Sequence, residues 1–371
     1  MRIAVTRETD ANESRVAATP DTVKKMKALG AEIAVEPDAG TKSGIPDPEF
    51  AAAGATVTAD AVKDADVVLK VRRPAPSELA RYKKGALVIA MMDPYGEDAA
   101  LKAMADAGVV AFAMELLPRI TRAQVMDVLS SQANLAGYRA VIDAAAEYGR
   151  ALPMMMTAAG TVPAAKVFVM GAGVAGLQAI ATARRLGAIV TANDVRPAAK
   201  EQVESLGASF IEVDEAIDAE TKAGYAREMD EAYRKKQEAR LADVLKKQDI
   251  AICTALIPGR PAPRLITEAM VKDMKPGSVI VDLAVEQGGN CELSELGKAV
   301  TRHNVRLVGY SNLPGRIPVD SSHLYARNLL SFLGLLIDKE SKTLKIDWND
   351  EIIAATVLTR ENRIVHPALG G

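Results

Sequence analysis

The residues Gly171-Ala172-Gly173-Val174-Ala175-Gly176 follow directly on the apolar run Val167-Phe168-Val169-Met170. A strand feeding a Gly-x-Gly-x-x-Gly turn is the arrangement that holds a dinucleotide pyrophosphate. Gly171 permits the tight turn, Gly173 puts no Cβ in the path of the phosphates, and Gly176 lets the next helix close on the strand. The phosphates then face the start of that helix, at Val174 and Ala175, where the first N–H groups lack partners within it. Leu177, Ile180, Ala181, Arg184 and Leu186 recur at helical spacing, and Gly187 stands where a left-handed cap is expected. A second apolar run, Ile189 to Ala192, leads to Asn193-Asp194. An acid roughly 20 positions beyond the glycines is placed to accept both hydroxyls of the adenosine ribose and to repel a 2′-phosphate. Asp194, followed by Val195, therefore favours NAD(H) over NADP(H). Arg196 pulls the other way, because a guanidinium there could pair with a 2′-phosphate. Thr254 ends the apolar strand Asp249–Thr254 and Ala255 and Leu256 follow it; ligands in such sheets bind at the carboxyl ends of strands, so all three are assigned to the same nucleotide.

A dehydrogenase of alcohols, hydroxy acids or amino acids also needs a group that moves a proton alongside the hydride. The chain has three histidines, His303, His323 and His366, all late in the sequence. Lys70, Lys83 or Asp93 could substitute, but a reaction that needs neither acid nor base fits more simply. Hydride transfer between two nicotinamides requires only that the rings be held near contact with water kept away. The stretch from Arg119 to Gln132 offers orienting groups: Gln124, Asp127 and Ser130 are three apart and share a face if helical, with Arg119 on the loop before them. A glutamine or serine can fix a carboxamide or ribose, and an arginine–carboxylate pair can hold a loop's shape. No metal is needed.

The elements that must position these residues are legible as alternation. Before the glycine turn, strand-like Ile3–Thr6, Glu32–Glu36, Val67–Val71, Leu87–Met91 and Val109–Met114 alternate with helical Pro20–Leu29 and Ala99–Ala107, which predicts a parallel α/β sheet. Asp127 to Leu152 reads as one long helix bridging two domains. Ser278–Ala284 and Arg306–Tyr310 continue the second sheet. Ser322–Ile337 reads as an apolar helix, and Leu344–Trp348, Ile353–Leu358 and Arg363–Val365 as short strands returning to the first domain. The expected architecture is two doubly wound, Rossmann-like parallel-sheet domains separated by a cleft and joined by long helices. The first is 1–128 plus 320–371; the second, NAD-binding, is 129–319. The highly charged stretch 214–247 reads either as a solvated helix or as a flap over the cleft, with few apolar contacts to hold it down.

At 371 residues two domains are the default. A net charge of −2 gives no electrostatic footprint for nucleic acid. Two cysteines, Cys253 and Cys291, suit a reducing compartment and packing roles. Met1-Arg2-Ile3-Ala4-Val5 already reads as a strand rather than a signal peptide, and Leu329 to Ile337 is far shorter than the roughly 20 residues of a membrane span. A cytoplasmic chain with no direct membrane span is expected.

Arg119-Ile120-Thr121-Arg122-Ala123-Gln124 with Asp127, Ser130 to Val141, Pro153 to Thr161, Gly171 to Leu177, Lys275 to Ser278 and Asp282 to Asn290 together resemble the NAD(H)-binding α component of proton-translocating transhydrogenase, over essentially the whole chain. The resemblance implies that Arg119, Gln124, Asp127 and Ser130 line the nicotinamide and meet the partner's nucleotide, and that Tyr225 closes over NAD(H) as part of the flap. It also implies hydride transfer to NADP+ on a separate NADP(H)-binding component, coupled to proton movement through a membrane-spanning component. The chain would then be a homodimer, docked through its partners at the inner face of the cell inner membrane. The alternative is an oxidative deaminase similar to alanine dehydrogenase, whose opening pattern is seen at Arg7-Glu8 and Glu13-Ser14-Arg15-Val16-Ala17. By motif position its lysine falls on Arg72, its histidine near Asp93 and its aspartate on Glu286. An arginine stays charged and cannot exchange the proton a lysine can.

Overall fold

Runs such as Val67-Val68-Leu69-Lys70-Val71 are apolar at almost every position, which suits a strand covered on both faces. The computed structural model, describing residues 1–212, 231–257 and 259–370, shows that arrangement in each of two units. One unit is Met1–Gln132 with Gly315–Gly371, the other Ala133–Pro314. The boundary falls inside a single helix, Val128–Glu147.

In the first unit β1 (Arg2–Val5), β2 (Glu32–Val35), β3 (Thr56–Val57), β4 (Val67–Arg72), β5 (Leu87–Met91) and β6 (Val110–Ala113) form a parallel sheet in the order β6-β5-β4-β1-β2-β3. The period-two alternation of a strand splits its residues between two cores. Ile3, Leu69, Ile89 and Phe112 pack with Leu329, Phe332, Leu333 and Leu336 of the helix Pro318–Leu336. Ala4, Val68, Val88 and Ala111 face the opposite core with Leu101 and Met104 of the helix Asp98–Asp106. Each such Leu or Phe contributes about 2 kcal/mol on burial, enough to bring the late segment back onto this sheet. The chain then adds Val357–Arg360 antiparallel beside β6, and Arg363–Ile364 at the edge.

The tail differs from expectation at two places. Ile353–Leu358 is not one strand: Glu351–Thr356 is a helix, and only Val357 onward is extended. Asp350 caps it by accepting from the Ile352 N–H, and Ile352, Ile353 and Thr356 bury one helical side. Leu344–Trp348 forms no strand beyond an isolated bridge between Leu344 and Ile337; Trp348 instead stacks on Phe112 beneath Arg360.

In the second unit the rest of the helix Val128–Glu147 is followed by a hairpin, β7 (Met155–Thr157) and β8 (Gly160–Val162), which the sequence reading did not separate. Its sheet comprises β9 (Lys166–Met170), β10 (Ile189–Asn193), β11 (Ser209–Phe210), β12 (Ile250–Cys253), β13 (Val279–Asp282), β14 (Lys298–Arg302) and β15 (Val305–Gly309), ordered β11-β10-β9-β12-β13-β15-β14. All neighbours are parallel except β14 with β15. The order reverses between β9 and β12, so the crevice at their carboxyl ends is the topological switch point. Cys253 and Cys291 are free and buried in the core.

Of the stretch 214–247, residues 231–247 are described, and Glu231–Leu245 is a helix. Leu241 and Leu245 are buried against Phe168 and Ile280, which packs this helix on the second sheet. Tyr225 lies outside the described residues.

Candidate functional site

The glycine turn sits at the switch point, where β9 ends. Gly171 has φ +94°, and a Cβ there would lie 2.6 Å from Thr254 Oγ1. A Cβ on Gly176 would lie 1.8 Å from the Gly171 carbonyl oxygen. A Cβ on Gly173 would meet nothing within 4 Å. Two glycines are therefore demanded by the protein's own backbone, and the third faces open space, which is the cradle a pyrophosphate requires. Gly173 caps the helix Val174–Arg185 with no side-chain hydrogen bond, leaving the first-turn N–H groups uncovered by a cap.

Two neighbours clamp this turn. Thr254 Oγ1 donates to the Gly171 and Met170 carbonyls at 2.9 and 3.2 Å. The helix Val128–Glu147 passes so close that a Cβ on Gly137 would lie 2.0 Å from the Ala175 carbonyl oxygen. Ala255 is held in turn by Asn290, which is fully buried: its Oδ1 accepts from Ala255 N–H, and its Nδ2 donates to the Ala255 and Pro263 carbonyls. Asp282 shapes that loop by accepting from the Ala284, Asn290 and Cys291 N–H groups. Sequence reasoning noticed Asp282 to Asn290 as a motif without seeing that its Asn290 holds Ala255 in place. Leu256 is exposed and Val195 half-buried.

Asp194 reaches back to the turn and accepts from the Ala172 N–H at 2.7 Å. Arg196 does not project toward solvent but folds onto the Asp194 carboxylate.

In the first unit the orienting segment is not one helix. Thr121–Met126 is a 3-10 turn carrying Gln124, Asp127 is extended, and Ser130 lies in the first turn of Val128–Glu147. The shared helical face expected of Gln124, Asp127 and Ser130 is thus replaced by a cap. Asp127 accepts from both the N–H and the hydroxyl of Ser130. Gln124 is exposed on that 3-10 turn and Arg119 on the loop before it. The turn is fastened on both sides of Gln124: Arg122 makes a bidentate pair with Asp350 at 2.6 and 3.0 Å, and Asn328 Nδ2 donates to the Val125 carbonyl at 2.9 Å. Asn328 Oδ1 also accepts from Ser131 Oγ at 2.8 Å, joining the turn to the helix start. Nothing in the spacing announced Asn328, which lies some 200 residues from both partners.

The positions that would carry deaminase chemistry are mostly engaged by neighbouring groups. Arg72 donates to Glu13, whose carboxylate is fully buried and also bound by Arg15; Arg15 in turn donates to Gln132. Burial alone would raise the Glu13 carboxyl, but hydrogen bonds and charge from Arg15, with the Arg72 charge, outweigh it and hold it near about 2. Lys70 is 1% exposed and engaged by Glu78, Glu8 and Thr6. Lys83 pairs with Asp66, and Glu286 accepts from the Asn312 N–H. Asp93, in the left-handed region at φ +43°, is exposed, and its N–H and that of Met92 donate to Glu115.

Glu115 Oε2 is buried with no hydrogen-bond partner among the described residues. Burial pushes this carboxyl from 4.5 up to about 7, the backbone donors offsetting part of the rise. A carboxyl raised in the folded chain stabilises it fully below about pH 4.5, and that stabilisation is lost as pH climbs through about 7. Denaturant unfolding between about pH 5 and about pH 8 is expected to show stability falling with pH more steeply in the native chain than in Glu115→Gln. Equal slopes would show that Glu115 is ionised throughout. Among the described residues no cluster of His, Cys, Asp or Glu could hold a metal ion.

The models of the alanine dehydrogenase/PNT N-terminal and C-terminal domains match residues 4–136 and 140–367. A Rhodospirillum rubrum chain, named as the first part of NAD(P) transhydrogenase subunit alpha, is 55% identical, covering 100% of this chain and 99% of its own. The crystal structure of transhydrogenase from Sinorhizobium meliloti superposes with a TM-score of 0.87 at 57% identity, covering 99% of this chain and 100% of that one. Bacillus subtilis alanine dehydrogenase is 31% identical over 87% of this chain and 82% of its own. The chain belongs to the alanine dehydrogenase/PNT family, within which transhydrogenase α subunits are its close homologues and alanine dehydrogenase a distant one.

Proposed function

We propose that this chain binds NADH at the Gly171–Gly176 turn and passes hydride directly to NADP+ held by a separate NADP(H)-binding component, coupled to proton translocation by a membrane component. The observation that carries this reading is a glycine cradle open at Gly173, combined with a deaminase lysine position filled by Arg72 and tied to buried Glu13. NADH supplies the hydride; NAD+ and NADPH are the products, and no proton need be taken up at the transfer itself. The chain's own residues then bind, orient and exclude water. The glycine turn and helix start hold the pyrophosphate, Asp194 the ribose, and Thr254–Leu256 the adjoining strand end. Arg119, Gln124, Asp127 and Ser130 orient the nicotinamide, with Tyr225 closing over it.

Among the described residues no helix is long and apolar enough to cross a membrane, so attachment at the inner membrane face is assigned to partner subunits. A homodimer is supported by the β7–β8 hairpin, whose Met155 and Met156, with Met154 just before them, are 43%, 76% and 62% exposed. A two-stranded hairpin is marginal alone, and a second copy offers it a packing surface.

The test is NADH-dependent reduction of NADP+ by the purified chain, with and without an added NADP(H)-binding component, beside a pyruvate-plus-ammonia control. Activity only with the component supports the proposal. NADH oxidation by pyruvate and ammonia with this chain alone would establish a deaminating dehydrogenase instead.

A further inference from the structure

The acid that the ribose reading requires is already fully engaged. Asp194 Oδ1 accepts from the Arg196 backbone N–H and from Arg196 Nε, both at 2.9 Å. Oδ2 accepts from Ala172 N–H at 2.7 Å and from Arg196 Nη2 at 2.9 Å. An ionised carboxylate offers about four acceptor sites, so none is left for two ribose hydroxyls. The pair is also enclosed, with the Asp194 and Arg196 side chains 6% and 19% exposed. Of the four donors, Ala172 and the Arg196 N–H belong to the main chain and are fixed by the turn. The other two belong to the Arg196 side chain and are not fixed by the backbone of the turn.

We propose that Arg196 is a latch on the nucleotide site. Its guanidinium holds the place on Asp194 that the ribose diol must take, so binding exchanges one for the other, and the pair sets the choice between NAD(H) and NADP(H). This inference rests on the reading of the glycine turn as the NAD(H) site. A forked, charge-assisted pair is stronger than hydrogen bonds from neutral hydroxyls, so the closed arrangement lowers apparent affinity by the fraction of chains it holds. While Asp194 keeps the guanidinium, a 2′-phosphate meets a neutralised pair backed by a carboxylate. Removing Asp194 alone frees a phosphate-binding fork.

Binding of NADH and of NADPH to the full chain, followed by nucleotide fluorescence, tests this in Arg196→Gln, Arg196→Lys, Asp194→Asn and the double variant Asp194→Asn/Arg196→Gln, each checked for native circular dichroism. Arg196→Gln is expected to bind NADH about fivefold more tightly than the native chain, with no gain for NADPH. Arg196→Lys, which keeps the charge but cannot fork, should fall between and serves if Arg196→Gln does not fold. Asp194→Asn should bind NADH about tenfold more weakly and gain NADPH affinity, a gain the double variant loses. If Arg196→Gln and Asp194→Asn both weaken NADH, the latch is overturned and Arg196 is an ordinary ligand, while the NAD(H) site stands. If no variant alters NADH affinity, the ribose does not reach Asp194 and both ideas fall.

Discussion

Gly176→Ala is expected to lower NADH affinity by about 10- to 100-fold and to lower thermal stability, because the new Cβ would lie 1.8 Å from the Gly171 oxygen and 2.8 Å from its carbonyl carbon. Both obstacles are backbone, so relief requires the helix Val174–Arg185 to withdraw from β9 or the turn to open. Overpacking of this kind costs about 1–3 kcal/mol, and each 1.4 kcal/mol is about tenfold in binding. Gly137→Ala presses the same turn from the other side, against the Ala175 oxygen, and should behave alike. Gly173→Ala separates packing from binding. Its φ of −74° suits alanine and its Cβ meets nothing, so the melting temperature should hold while NADH affinity falls. A Gly173→Ala chain that binds NADH like the native protein would show that the pyrophosphate lies elsewhere.

Gln124→Ala should reduce NADH-to-NADP+ turnover, measured with the NADP(H)-binding component present, by about 100-fold, while NADH affinity stays within about twofold. Gln124 is exposed on a short turn, so the loss of its side chain removes an orienting group without removing packing. Equal losses in affinity and turnover would mean that it holds the bound nucleotide rather than aligning the transfer. The turn's fastening makes a second expectation. Asn328→Ala releases the Val125 carbonyl and the Ser131 hydroxyl together, and should slow turnover about tenfold with NADH affinity unchanged. Because Asn328 acts through the turn that carries Gln124, the double variant should be little slower than Gln124→Ala alone. Additive losses would instead place Asn328 outside that unit.

The glycine turn, its flanking strands and helix, and the acid after β10 were legible because their requirements are local. A positive φ, an absent Cβ and a fixed count of residues along a strand and a helix are written in consecutive residues. The core was legible for a similar reason, since strands covered on both faces read as unbroken apolar runs. The tail was less so: Ile352, Ile353 and Thr356 suit a helix or a strand in so short a run, and the Asp350 cap decided for the helix. The orienting segment failed as a helical face because Asp127 spends its carboxylate on Ser130 and ends the 3-10 turn that carries Gln124.

What the sequence by itself determined is therefore the glycine turn and, in kind, the parallel sheet of each unit. What only the tertiary structure decided is where polar side chains spend their hydrogen bonds. Arg196 turns inward to Asp194, Asn290 clamps Ala255, Asn328 joins Val125 to Ser131, and Arg72 is consumed by Glu13. A buried or half-buried polar group must find a partner, and which partner is nearest depends on chain segments brought together only by the fold.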